Sequence, residues 1–312
     1  MGRRLRFIPE GGLVEVTCRT LQGRFLLLPT GGLPRIVIGI LARAVERYPL
    51  RIHAFAFLSN HFHLLVSPES AHQLADFMRY LNTNLSKEAG RVHGWEGSLL
   101  QRRYLAIPIS SEERVQVSRL RYVLSQGCKE GLVSRPSDWP GAHCADSLRK
   151  GDGLRGVWFD RTQEWKARRR RSESNPDDFA TEYLLELDPL PCWHAMTSEG
   201  YRERVGDLIR QIEIETEALH RRRGTRPLGV SAVMSQSPHN RPRVLAKRPA
   251  PLVHAAARRV RQEFLTAYRS FVTSFRRAAE RLRSGDPRAE FPAGSFLPPM
   301  RLAHHDVRGA PD

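Results

Sequence analysis

The feature that most constrains the fold of this 312-residue chain is an apolar stretch from residue 51 to 67, which reads RIHAFAFLSNHFHLLVS. Two strand-like runs flank the short polar pair Ser59 and Asn60, a pattern typical of a β-hairpin. The stretch therefore predicts two neighbouring antiparallel strands, and the fold must be compatible with them.

Segments on both sides of this hairpin alternate between strand and helix periodicity. Residues 13–21 alternate apolar and polar side chains as a half-buried strand does, and 34–48 carry apolar side chains at helical spacing. After the hairpin, 72–90 carries a helical stripe, 99–109 is a strand candidate and 111–133 a helix. The order β-α-β-β-α-β-α predicts an α+β, ferredoxin-like fold, in which an antiparallel sheet carries helices on one face.

The composition changes after residue 148. Residues 149–178 are rich in Gly, Ser, Asp and Arg, and we interpret them as a linker with a basic run. Residues 179–312 contain two amphipathic stretches, 198–223 and 254–282, each long enough for a helix of many turns. We therefore expect a mainly helical, arginine-rich C-terminal extension.

The charge balance favours a polyanionic partner. The chain has 50 Lys and Arg against 33 Asp and Glu, a net charge of +17. Nucleic acid is the commonest polyanion in a cell, although arginine-rich, solvated surfaces that bind nothing are the alternative. The candidate contacts to nucleic acid are Arg102, Arg103, Arg168, Arg169, Arg170 and Arg171.

Cysteine usage and hydropathy indicate the compartment. The four cysteines include no CxxC pair and suggest no disulfide framework, which fits a reduced setting. They are Cys18, Cys128, Cys144 and Cys192. Their spacing from His143 and His194 does not support a zinc site. Since no apolar run is long enough to span a bilayer, we expect a cytoplasmic, nucleoid-associated protein without a membrane partner.

Two histidines lie two residues apart in the second strand of the predicted hairpin. Because strand side chains alternate between faces, His61 and His63 leave the same face of the sheet and Phe62 leaves the other. At this spacing both imidazoles can reach one metal ion. Histidines that only pack in the core are the alternative, and the spacing by itself does not decide between the two.

Tyr122 and Gln126 lie one turn apart on the predicted helix 111–133, so they share a face. A phenol near a divalent ion can lose its proton and attack a phosphorus atom. An amide oxygen is a hard ligand that suits Mg²⁺ or Mn²⁺. A half-buried helix aromatic is the alternative interpretation of Tyr122, and Tyr80 and Tyr104 are competing tyrosines.

The stretch AFAFLSNHFHLLVSP, residues 54–68, resembles the His-hydrophobe-His strand of the IS200/IS605-like single-tyrosine (HUH) transposases, and is nearest to the REP-associated tyrosine transposases. Further motifs follow in the family's order. They are LQRRY at 100–104, RY at 121–122, GLV at 131–133 and RPSDWP at 135–140. The resemblance spans about residues 5–148, and the HFH strand is its most specific part.

This resemblance implies a metal-dependent single-stranded DNA endonuclease and strand transferase, with residues 1–148 as its catalytic domain. His61 and His63, completed by Gln126, would bind Mg²⁺ or Mn²⁺. Tyr122 would attack the scissile phosphate, which gives a 5′-phosphotyrosine link and a free 3′-hydroxyl. The expected partner is single-stranded or hairpin DNA. Strand exchange favours a homodimer, in which sites can form between subunits, although a monomer is possible.

The chain departs from the family pattern in two places. Leu58-Ser59-Asn60 stands where relatives have Met-Pro-Asn, and Gln126-Gly127 stands where they have Asn-Pro after the tyrosine. Gln126 keeps a carbonyl ligand, so none of the core groups is lost. The alternative to an enzyme is a domesticated, non-catalytic nucleic-acid-binding protein that has kept the fold. An unrelated metallohydrolase would need Asp or Glu ligands, for which no motif is present.

Overall fold

A four-stranded antiparallel sheet forms the centre of the computed structural model, which describes residues 4–170, 175–242 and 250–298. The elements of the first half follow the predicted order. They are β1 (Val14–Arg19), α1 (Leu33–Arg47), β2 (Arg51–Leu58), β3 (His61–Ser67), α2 (Ala71–His93), β4 (Leu105–Pro108) and α3 (Glu113–Leu124). The strand order is β2-β3-β1-β4, as in a ferredoxin-like sheet, and confirms the predicted fold class.

The register of the sheet separates an apolar face from a face that carries polar groups. In β3, Phe62 and Leu64 are fully buried beside Val16 of β1, in the same core as the apolar sides of α1 and α2. These two helices pack against each other on that face, as predicted. The helix α3 instead packs against β2 and β3 on the opposite face, where His63 lies. The sheet therefore has helices on both faces.

The predicted helix 111–133 is interrupted. The helix α3 ends at Leu124, and a separate short helix, α4 (Gln126–Lys129), follows after Ser125. The chain then turns at Gly131, whose φ of 68° suits glycine. Gln126 therefore begins α4 instead of lying one turn further along a continuous helix. Its side chain is fully buried.

The stretch 149–178, interpreted above as a linker, contains secondary structure. After α5 (Ala145–Lys150) come β5 (Leu154–Phe159), α6 (Arg161–Arg169) and β6 (Ala180–Leu185), and β5 pairs with β6. This hairpin packs on α1 because Gly39 of α1 and Gly156 of β5 let the two backbones approach closely. A Cβ on Gly39 would lie 2.3 Å from the Val157 oxygen. Of this stretch, residues 171–174 lie outside the described part of the chain.

The C-terminal region is mainly helical, as predicted, with α7 (Ser198–Arg223), α8 (Val230–Met234) and α9 (Arg258–Arg283). The helix α7 packs against α3, α4 and α5. Just before α9, His254 forms a parallel bridge with Ile109, directly after β4. Phe7, near the N-terminus, packs against Phe264 and Phe271 of α9. Among the described helices, none is both long and apolar enough to cross a membrane.

Candidate active site

The two histidines of the HFH motif stand side by side at the start of β3. Their ring centroids are 5.2 Å apart and the ring planes are nearly perpendicular. His63 is buried and His61 is partly buried. The structure thus places both imidazoles on one face of the sheet, as their spacing predicts.

A hydrogen bond at Nδ1 orients each imidazole. His63 Nδ1 lies 3.0 Å from Glu15 Oε1, and His61 Nδ1 lies 2.6 Å from Asn60 Oδ1. In both pairs the oxygen accepts and the ring nitrogen donates. The Nε2 lone pair of each ring is then free for another partner, the arrangement that metal-binding histidines adopt.

Burial keeps His61 neutral. Burial, together with the nearby His63 and Arg19, lowers the pKa of His61 to about 3, against a smaller opposing effect of a hydrogen bond with Gln126. A neutral imidazole offers a lone pair to a cation at ordinary pH. The electrostatics of His61 therefore suit a ligand rather than a permanently charged residue.

Gln126 supplies an amide oxygen close to His61 that makes no hydrogen bond of ordinary geometry within the described residues. Its Nε2 donates to the Tyr122 carbonyl over 2.9 Å, whereas its buried Oε1 has no hydrogen-bond partner among the described residues. A buried acceptor left unpaired costs about 1–3 kcal/mol. Two imidazole nitrogens and this amide oxygen fit a divalent cation with open coordination positions.

Among the described residues, acidic, thiol and imidazole side chains alone do not form a metal-binding cluster. The described residues contain no cluster of three or more His, Cys, Asp or Glu able to hold a metal ion. The side chain beside the two imidazoles that could serve as a further donor is the buried amide of Gln126.

Tyr122 contacts His63, one of the two histidines, directly. Its ring meets the His63 ring edge to face, with centroids 5.3 Å apart. The Arg119 guanidinium lies 3.9 Å and the Lys129 ammonium 4.3 Å from the centre of the tyrosine ring. Two cations beside a phenol suit a phosphate group that approaches it.

The competing tyrosines are engaged elsewhere. Tyr104 is buried, its hydroxyl accepts a hydrogen bond from Arg6, and burial raises its pKa to about 12. The Tyr80 hydroxyl accepts from Arg43. Because Tyr80 belongs to α2, it lies on the other side of the sheet. Of the three tyrosines, the structure brings only Tyr122 to the histidine pair.

Glu15 is a site residue that sequence reasoning missed. It is buried, and its carboxylate meets His63, Arg119 (2.7 Å) and His254 (3.0 Å). Burial alone would raise the pKa of Glu15, but the imidazoles of His254 and His63 and the Arg119 charge outweigh it and hold the pKa well below its ordinary value. The carboxylate is therefore ionised and fixes the His63 ring.

The signal for Glu15 was its alternation on β1, which put it on the polar face of that strand. Only the register, with Glu15 opposite Leu65 and Thr17 opposite His63, shows that this face carries the histidines. For His254 no sequence signal exists, since it is 239 residues away from Glu15.

The arginines proposed from sequence as nucleic-acid contacts lie elsewhere. Arg168 pairs with Glu164 over 2.6 Å, Arg169 lies over the Trp165 ring, and Arg170 is exposed. Arg168 and Arg169 belong to α6, and Arg170 follows it directly. An ion pair between Arg161 and Glu88 joins α6 to α2, on the side of the sheet away from His63. Arg102 and Arg103 are exposed just before β4, and Arg171 lies outside the described residues. No described contact joins the five described arginines to His61 or His63.

Other cations do surround Tyr122. The tyrosine lines a cleft of about 580 Å³ between α3, α4 and α7. Arg119, Arg121, Lys129 and Arg222 line the same cleft, against the single carboxylate of Glu215, which pairs with Arg121. The cleft beside the tyrosine is therefore basic, as a phosphate backbone requires.

Comparison with known proteins agrees with the resemblance seen in the sequence. Residues 32–126 match the family described as "Transposase IS200 like", and the match contains His61, His63, Tyr122 and Gln126. No curated protein matches the chain.

Two solved structures show limited similarity. One is the structure of a REP-associated tyrosine transposase bound to a REP hairpin, with 20% identity over 47% of this chain and 85% of that one, at a TM-score of 0.41. The other is a putative transposase from Deinococcus radiodurans R1, with 16% identity over 38% of this chain and 94% of that one, at a TM-score of 0.28.

Proposed function

We propose, from the premise that residues 32–126 belong to the IS200-like transposase family, that the chain nicks and rejoins single-stranded DNA with Tyr122 as its nucleophile. One observation carries the proposal. Within a single chain, Tyr122 packs on His63 while the buried Gln126 side chain lies beside His61.

His61, His63 and Gln126 would hold Mg²⁺ or Mn²⁺. A divalent ion supplies Lewis acidity there: it polarises the scissile phosphate and stabilises negative charge on the leaving oxygen. Glu15 orients His63 through Nδ1, and Asn60 does the same for His61. These second contacts fix the direction of each ring before any ligand arrives.

The covalent step transfers one phosphoryl group from the 3′ oxygen of the DNA to the Tyr122 oxygen. The Tyr122 oxygen loses its proton to solvent and attacks the phosphorus, and the bond from phosphorus to the 3′ oxygen breaks. The 3′ oxygen takes up a proton and leaves as a hydroxyl, while the 5′ end stays on the tyrosine. Lys129 stands beside the tyrosine ring, where it would neutralise phosphate charge, and Arg119, which pairs with Glu15, lies against the same ring. Rejoining is the reverse attack by a 3′-hydroxyl.

The substrate we propose is hairpin-forming single-stranded DNA. Its single-stranded part can lie in the basic cleft at Tyr122, whose volume of about 580 Å³ is open between α3 and α7. All four proposed groups lie close together in one chain, an arrangement that would allow a monomer to form a site. We nevertheless expect a homodimer, because strand exchange needs two nicks, and light scattering in solution tests this.

A covalent adduct tests the proposed reaction. The wild-type protein, with Mn²⁺ and labelled single-stranded hairpin DNA, should form a complex that survives denaturation. Tyr122→Phe should form none, whereas the control Tyr104→Phe should keep it. Absence of the adduct from the wild type, with DNA binding intact, would instead identify a non-catalytic nucleic-acid-binding protein. An equal adduct from Tyr122→Phe would show that the nucleophile is another residue.

A further inference from the structure

A second cleft opens on the other side of α3 from α7. It has a volume of about 720 Å³, and its lining comes from α3, α9, the N-terminal segment and residues 250–256. It shares Ser118 and Arg119 with the cleft that contains Tyr122. Because Ser118 precedes Tyr122 by four residues on one helix, the two clefts meet one turn from the proposed nucleophile.

The wall formed by residues 250–257 is held in place by polar contacts. The His254 backbone accepts from Ser110 N and donates to Pro108 O, both over 2.9 Å. The Glu112 carboxylate accepts from the backbone N–H groups of Ala256 and Ala257. The His254 side chain reaches Glu15 inside the site. The cleft is therefore built before a ligand enters it.

The rim of this second cleft is cationic. Arg4, Arg114, Arg119 and Arg261 line it, and no Asp or Glu does. Arg114 and Arg119 pair with carboxylates, but Arg4 donates to the Ala250 carbonyl and Arg261 to the Ala255 carbonyl. Carbonyl oxygens do not neutralise a guanidinium, so these two charges are available to an anion such as a phosphate.

The floor of the cleft is apolar. Val115 of α3, Val253 of the wall and Leu265 of α9 line it together. An apolar floor under a cationic rim matches a nucleotide, whose base has an apolar face and whose phosphate is charged. The volume is in the usual range of about 300–1,000 Å³ for sites of small molecules.

We infer that this second cleft binds a nucleotide of the single-stranded DNA next to the phosphate that Tyr122 attacks, with the base on the apolar floor and its phosphate at Arg4 and Arg261. The inference rests on the proposed function, because that function places the scissile phosphate at Tyr122. It gives the C-terminal region a direct part in holding the substrate, through the wall and α9.

A binding experiment in EDTA separates this inference from catalysis. We would use the Tyr122→Phe protein and measure fluorescence anisotropy with a short labelled oligothymidylate and with an abasic strand of equal length. Arg261→Ala should weaken binding of both strands about threefold to tenfold and lower the salt slope by about one. Arg276→Ala removes the same charge from an exposed site about 22 Å further along α9 and should change neither.

A substitution in the apolar floor tests whether a base lies on it. Leu265→Asn should weaken binding of the oligothymidylate and leave the abasic strand unchanged, with circular dichroism as the check on folding. If Arg261→Ala behaves like Arg276→Ala, the cleft does not hold DNA. If Leu265→Asn weakens both strands equally, no base lies on the floor. Failure of the wild type to form the covalent adduct would overturn only the proposed reaction, since binding in EDTA needs no nick.

Discussion

At the scale of single residues, a buried acceptor without a partner marks the candidate metal site. Gln126 is fully buried, and its carbonyl oxygen is one of the few buried side-chain atoms of the described residues that lack a hydrogen-bond partner. A polar atom of this kind costs stability, and the proposed role as a metal ligand would account for it.

We predict that Gln126→Leu raises stability and removes activity. The apolar replacement avoids the unpaired acceptor, which is worth about 1–3 kcal/mol, although it also loses the hydrogen bond to the Tyr122 carbonyl. The free energy of unfolding, measured without metal, should rise. Mn²⁺ binding, measured by electron paramagnetic resonance, should weaken at least tenfold, because the loss of one ligand costs about 1.4 kcal/mol or more.

The matched control is Gln116→Leu. Gln116, on α3, is buried like Gln126, but its Oε1 accepts a hydrogen bond from Cys192 N over 3.0 Å. Replacement by Leu therefore leaves the Cys192 N–H unpaired. It should destabilise the protein and spare Mn²⁺ binding. A loss of stability in Gln126→Leu as large as in Gln116→Leu would contradict our interpretation of the amide.

Glu15 provides a second prediction at this scale. Its lowered pKa means that its contribution to stability is present above the ordinary value of 4.5 and is lost as the pH falls towards the folded-state pKa. Glu15→Gln should therefore lower the melting temperature most at neutral pH and least in acid. It should also weaken Mn²⁺ binding, because an amide holds His63 less firmly than a carboxylate does. Equal losses at pH 7 and pH 3 would show that charge has no part.

At the scale of elements, the sequence predicts helices and strands correctly wherever the hydrophobic periodicity is strong. The β2–β3 hairpin, α1, α2 and α7 lie within a few residues of their predicted bounds. The His61–His63 pairing followed from the alternation of strand side chains alone. The local pattern of such segments agrees with the final fold, so no tertiary information was needed.

Elements that depend on distant contacts were not predictable. The hairpin of β5 and β6 was missed because Gly39 and Gly156 allow a close approach between backbones that no local pattern records. The break at Ser125 that buries Gln126 was missed because α3 and α4 look like one helix in the sequence. The contact of Glu15 with His254 needs both the sheet register and the C-terminal fold.

The close approach at Gly39 predicts the effect of adding a methyl group. In Gly39→Ala, the new Cβ would meet backbone atoms of Val157 at 2.3 Å, and backbone cannot move aside cheaply. We expect a loss of about 1–3 kcal/mol in chemical denaturation. Gly206→Ala, in the middle of α7, meets only ordinary contact at 3.5 Å and should gain about 0.5–1 kcal/mol. A stable Gly39→Ala protein would mean that the hairpin does not pack on α1.

At the scale of the whole molecule, buried histidines predict sensitivity to acid. Burial lowers the pKa of His53 and of His143 to about 4 in the folded state, whereas the ordinary value is 6.5. The unfolded chain binds these protons more readily, so stability should fall as the pH drops from 6.5 towards 4. We expect the two sites together to lower the free energy of unfolding by roughly a few kcal/mol.

Denaturation curves at pH 7, 5.5 and 4.5 would check this prediction. His53→Gln can keep contacts to Ser67 or Pro189 but cannot take up a proton in this range, so it should flatten the decline. An identical pH dependence in the variant would exclude His53 as a cause.

The Glu15 carboxylate joins the beginning and the end of the described chain at the candidate active site. It lies on the first strand, holds His63 and Arg119, and meets His254 of the wall before the last helix. During synthesis, Tyr122 and the proposed metal ligands His61 and His63 therefore leave the ribosome before His254, which completes this cluster. A nascent chain therefore lacks the contact between His254 and Glu15 until synthesis has passed residue 254.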